Sequence, residues 1–127
     1  MPLIEVSVGE LLDKFSILEI KSSLLKSDEQ KVNVRNEILS QKNAVDEYLT
    51  SSEINESYLA LKQVNLLIWQ GMDRVFEIGD SPTKEYDPLT REITRLNMER
   101  AFLKKKIDLL SNSKFTEEKS YFILNDQ

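Results

Sequence analysis

The stretch ITRLNMERAFLKKKIDLL, residues 93–110, carries the pattern that decides the fold. Together with Leu89, the residues Ile93, Leu96, Leu103, Ile107 and Leu110 are 4, 3, 7, 4 and 3 positions apart. That spacing keeps them on one side of an α-helix. The gap of seven is a single missing step of the 3–4 rhythm, and Arg100 fills it. A guanidinium in an apolar seam needs an acidic partner, because an unpaired buried charge is very costly. Asp13, at the head of an apolar stripe near the N-terminus, is the first candidate. Asp73 and Glu19 are the others.

Working back from this helix, expected over 88–111, Asp87 reads as its N-cap and Pro88 as its first residue. GDSPTKEYDP is the one loop-like linker before it. Upstream, TSSE (50–53) opens a helix expected over 52–79. Ile54, Leu61, Val64, Ile68, Val75 and Ile78 hold one register, with Gly71 in the seam to admit a close neighbour. Tyr58, Trp69, Met72 and Phe76 line the adjacent face, so this helix is expected at the centre. SDEQ (27–30) caps a less apolar helix, 28–49, facing inward through Val34, Ile38, Val45 and Leu49. The first helix, 8–26, follows a capping box of Ser7 and Glu10. Val8, Leu11, Phe15, Leu18 and Leu25 form one stripe on it; Asp13, Ile17, Ile20 and Leu24 form a second.

The two ends read differently. PLIEVSV alternates as a short strand, and residues Ser120 to Leu124 read as another. Pairing Ile4–Val6 with Tyr121–Ile123 satisfies backbone groups that each strand alone would leave open. The expectation is a mainly α chain, one domain over 1–127. It is an antiparallel four-helix bundle whose ends can join in a small two-stranded sheet.

Composition narrows the chemistry. The 127 residues contain no Cys and no His. Disulfides, thiolate nucleophiles, imidazole bases and most zinc or haem sites are therefore out of reach. The formal net charge of −5 argues against wholesale nucleic-acid binding. No apolar run approaches the roughly 18 residues a membrane span requires, and no signal-peptide pattern opens the chain, so a cytoplasmic protein is expected. EINE (53–56) and EIGD (77–80) match the metal-carboxylate pattern of all-α nucleoside-triphosphate pyrophosphatases. On one continuous helix, however, Glu56 and Glu77 stand about 30 Å apart and cannot share a metal within one protomer. No phosphate-binding glycine loop or nucleophile elbow remains. No catalytic residue, metal site or cofactor is assigned.

Asn97, Arg100 and Lys104 fall at i, i+3 and i+7 on one helix face. The bland reading of Arg100 is a structural ion pair that fixes helix register. The functional reading is a polar pocket in the bundle where Arg100 and Lys104, with Asn97, Asp13, Asn65 and Asp73 around them, hold a small anion. Lys104–Lys106 by default form a solvated basic face near a helix end. Trp69, Met72 and Phe76 read as core or as an oligomer interface.

The chain also resembles a small bacterial family catalogued only as a domain of unknown function. The resemblance rests on EVSVGELLDKFSILEIK at the start and on an Asn-x-x-x-Trp helix, Asn65 and Trp69. It continues with an Asn-x-x-Arg-x-x-x-Lys helix, Asn97, Arg100 and Lys104, and ends on Glu-Glu-Lys-Ser-Tyr, Glu117 to Tyr121. Where the family often has an acidic pair after the Trp, this chain has Met72 and Asp73. The resemblance implies genes near glycan biosynthesis and no established activity. The leading expectation is a small cytosolic, non-enzymatic binding or assembly module, with a homodimer or another protein as partner. The alternative is a protein or enzyme acting on an anionic or phosphorylated small molecule around Arg100.

Overall fold

The computed structural model describes residues 1–80 and 83–113. Four helices run in chain order: α1 (Val8–Leu24), α2 (Asp28–Leu49), α3 (Ser52–Ile78) and α4 (Tyr86–Leu110). The mainly α four-helix bundle is the fold. Among the described residues there is no strand; residues 1–7 precede α1 without regular structure. The Ser120–Leu124 segment expected to pair with them lies outside the described residues, as does Glu117–Tyr121.

Serine caps start three of the helices. The Ser7, Ser27 and Ser51 hydroxyls accept from the backbone N–H groups of Glu10, Gln30 and Ile54, satisfying donors that have no partner within the helix. The fourth start differs from expectation. Glu85, not Asp87, is the capping residue, it makes no side-chain cap bond, and Tyr86 and Asp87 precede Pro88 in the helix. Proline is tolerated there because first-turn N–H groups have no helical acceptor in any case. Gly79 ends α3 at φ 66° and ψ −144°, a conformation that a side chain disfavours.

α3 and α4 form an antiparallel hairpin. Gly71 faces Ile93, whose Cγ1 would lie 3.0 Å from a Cβ at that position, so the glycine admits the close approach its seam position implies. Arg74 bonds Glu85 near the turn. α1 and α3 each pack on all three other helices, whereas no Cα atoms of α2 and α4 come within 8 Å of each other. α1 begins against the end of α4 and finishes against the first half of α3, where Glu19 accepts from Tyr58 and pairs with Lys62. The core gathers at that end of the hairpin: Leu12, Leu61, Ile107 and Val45 are fully buried, with Phe15, Ile54 and Tyr58 around them. Leu12, which belongs to neither expected stripe of α1, lies at the middle of this cluster.

The start of α1 is built into α4. Val8 N–H donates to Ser113 Oγ at 2.9 Å and Gly9 N–H to the buried Asp108 Oδ1 at 2.7 Å. An acid is well placed at the positive end of a helix dipole. The approach requires glycine: a Cβ on Gly9 would lie 2.4 Å from the Lys104 carbonyl oxygen and 2.7 Å from Asp108 Oδ1. Gly9→Ala is therefore expected to cost ~2–3 kcal/mol, as overpacking against backbone does. Urea denaturation measures this, and a loss under about 0.5 kcal/mol contradicts the packing described.

Burial, and then the hydrogen bond to Glu19, push the Tyr58 phenol far above its ordinary value of 10.0. A folded pKa above the unfolded one contributes stability that is complete below pH 10 and lost progressively as pH rises beyond it. Tyr58 is therefore expected to ionise only together with alkaline unfolding. Tyrosinate absorbance of wild type and Tyr58→Phe checks this: the mutant should lose the late step.

Candidate functional site

Arg100 reaches Asp13 with both prongs of its guanidinium, Nε to Oδ1 at 2.9 Å and Nη2 to Oδ2 at 2.6 Å. This fork matches a carboxylate's two oxygens and is the strongest geometry for such a pair. Asp13 is 1% exposed. It sits on α1 between the apolar flanks of Leu12 and Phe15. Neither Asp73 nor Glu19 bonds Arg100 in the described structure. A second rung lies one turn below, where Lys104 Nζ meets Glu10 Oε2 at 2.8 Å. With 12% of its side chain exposed, Lys104 is not part of a solvated face.

Asp13 is held from a third side. Asn65 Nδ2 donates to Asp13 Oδ1 at 2.9 Å and to Ser16 Oγ at 2.8 Å. Ser16 in turn donates its hydroxyl to the Asp13 carbonyl at 2.6 Å. The chain of bonds fixes every donor. Ser16 spends its proton on a carbonyl and can only accept from Asn65, and Asp13 can only accept, so the nitrogen of the Asn65 amide must face both. Asn65 and Ser16 are themselves buried.

Of the residues expected to form a site, Asp13, Arg100 and Asn65 are brought into one network, and Lys104 into the adjacent ion pair. Asn97 is not brought there: it is exposed, and its Nδ2 donates to the carbonyl of Ile93 in its own helix at 3.2 Å. Asp73 lies outside the network but lines a groove beside it. This open groove, about 370 Å³, is bounded by Ile17, Asn65, Ile68, Trp69, Met72, Asp73 and Arg100. Five of these share one face of α3 at i, i+3, i+4, i+7 and i+8, and Ile17 and Arg100 close its sides. Beyond it the apolar line emerges into solvent: Met72 is 51% and Phe76 89% exposed. Neither is core.

Sequence reasoning missed Ser16, Asp108 and the role of Glu10 opposite Lys104. Their positions were signals. Ser16 is one turn from Asp13, and Asp108 continues the line of Arg100 and Lys104 at intervals of four. No group of three or more acids, histidines or cysteines able to hold a metal occurs among the described residues.

The fold and site define a helical bundle pinned by a buried Asp–Arg–Asn–Ser cluster at the edge of an apolar groove. Within that class, the family model of the family of unknown function DUF6165 matches residues 2–125, and the chain belongs to that family. No curated protein and no solved structure matches the chain.

The pair's structural weight can be measured. Arg100→Met strands Asp13 among apolar neighbours and is expected to cost about 3 kcal/mol, at the low end for a broken buried pair because part of Arg100 meets solvent. Asp13→Leu with Arg100→Met should recover more than half of that loss, since Asn65 keeps Ser16 as acceptor. A double-mutant cycle by chemical denaturation reads the coupling. A cost below about 1 kcal/mol for Arg100→Met defeats the structural role.

Proposed function

We propose that this chain is a non-enzymatic binding module and that the groove between α1, α3 and α4 is where it binds. The observation that carries this reading is the groove itself: an apolar face of α3 ending at a polar cluster, the usual composition of a recognition site. Among the described residues, Asp73 and Arg100 are its only ionisable lining groups, and Arg100 is engaged with Asp13. A general acid–base pair facing a bound molecule is thus missing from the lining.

The wider setting belongs to the same proposal. A role beside surface-glycan biosynthesis in a bacterial cytoplasm follows the family resemblance, and a chain without cysteine is compatible with a reducing compartment. A homodimer is supported by the Met72–Phe76 ridge, a large apolar projection at the mouth of the groove. A second reading, a small anion at Arg100, is favoured by the 30% of the Arg100 side chain that stays exposed. Such an anion has to compete with Asp13 for the guanidinium and to lie near Asp73.

The test is a thermal-shift screen of amines, sugar phosphates, nucleotides and divalent metals against wild type and Met72→Arg. Met72 is half exposed, so its replacement should leave the fold intact while obstructing the groove. A ligand at 100 times its Kd should stabilise the wild type by about 2.7 kcal/mol and the variant much less. Ligands that stabilise both equally place binding elsewhere.

A further inference from the structure

The groove has a charge preference, and its hydrogen bonds set the sign. Asp13 neutralises Arg100 through the two-pronged contact. Asp73 makes no ion pair or hydrogen bond in the described structure, so the net charge lining the groove is that of a single carboxylate. The amide of Asn65 lines the groove without adding charge. Both bonds made by its nitrogen point into the cluster. Its Oδ1 accepts from no described residue. Asn65 lines the groove but is only 5% exposed as a whole.

Two polar groups of α3, the Asp73 carboxylate and the Asn65 amide, therefore line a cleft together with Ile17, Ile68, Trp69, Met72 and the Asp13-paired Arg100. Between them on α3 stands Trp69, four residues after Asn65 and four before Asp73, so that all three share one helix face. An indole is the best aromatic partner for a cation. We infer that the groove binds a primary ammonium group carried on an alkyl chain, the nitrogen held by Asp73 against Trp69 and the chain lying along Met72 and Ile17. This inference rests on the groove being the binding site. It names the ligand class: an alkylamine, or the chemically equivalent side chain of a lysine.

Trp69 is the only tryptophan in the chain, so its fluorescence reports on the groove directly. The full-length protein is titrated with n-hexylammonium, n-hexanol and n-hexanoate, three probes of one length and three charges. The expected order is ammonium above alcohol above carboxylate. Salt should weaken the ammonium alone. Asp73→Asn, at an exposed position, should keep the fold and weaken ammonium binding at least roughly tenfold while leaving the alcohol unchanged. A second arm uses acetyl-lysine-methylamide against its side-chain-acetylated form. Binding of the free lysine form identifies a peptide source, and binding of hexylammonium alone a free amine; either supports the inference. Equal binding of hexanol and hexylammonium overturns the charge preference and leaves the groove as a binding site. Preference for hexanoate overturns it in favour of an anion at Arg100. No response to any probe overturns both the ammonium site and the groove reading.

Discussion

The Asp13–Arg100 contact is the constraint on which the arrangement of the helices depends. An acid inside an apolar stripe of α1 and a guanidinium inside the seam of α4 are each unfavourable alone. Joined as a fork they fix the distance between α1 and α4 and their relative slide to within a bond length. Asn65 extends the constraint to α3. A purely apolar seam tolerates slippage by a turn; a bidentate pair supported by an amide and a hydroxyl does not. The cluster is thus better understood as a specifier of register than as a source of net stability.

Register has a second anchor at the opposite end of the same interface. Gly9 lets the backbone of α1 lie almost against the Lys104 carbonyl, and Asp108 and Ser113 take up its first N–H groups. The two anchors reinforce each other. The glycine contact sets how deep α1 sits, and the Lys104–Glu10 and Arg100–Asp13 rungs set its rotation. Once both are satisfied, Ile17 comes to the rim of the groove as a by-product of helical periodicity. The binding surface is therefore a consequence of the same contacts that hold the bundle.

Much of this was legible in the residues. The 3–4 spacing of α4, the serine caps and the unbroken register of α3 gave helix positions close to those observed. The break at Arg100 called for a buried acidic partner, and the lone acid in the stripe of α1 was the first of three candidates for it. What escaped was what periodicity does not encode. Pro88 suggested a helix start two residues too late, because the first turn admits proline at more than one position. Leu12 fell in neither expected stripe because α1 is covered on three sides rather than two. The exposure of Met72 and Phe76 was hidden because α3 runs on past the cover provided by α1 and α2. Asn97 shared a nominal face with Arg100, yet a helix face is wide, and its amide found a carbonyl of its own helix instead.

The capping of α1 by the end of α4 has a consequence for biosynthesis. The contacts that complete the first helical turn span 105 and 99 residues of sequence. A ribosome releases the chain from the N-terminus at roughly 5–20 residues per second. α1 therefore emerges first but waits for almost everything behind it before its leading amides find their acceptors. The α3–α4 hairpin needs only short-range closure, whereas the contact that buries Asp13 joins residues 87 positions apart. In synthesis an acid-bearing apolar helix thus precedes, by most of the bundle's length, the residues that complete its cover.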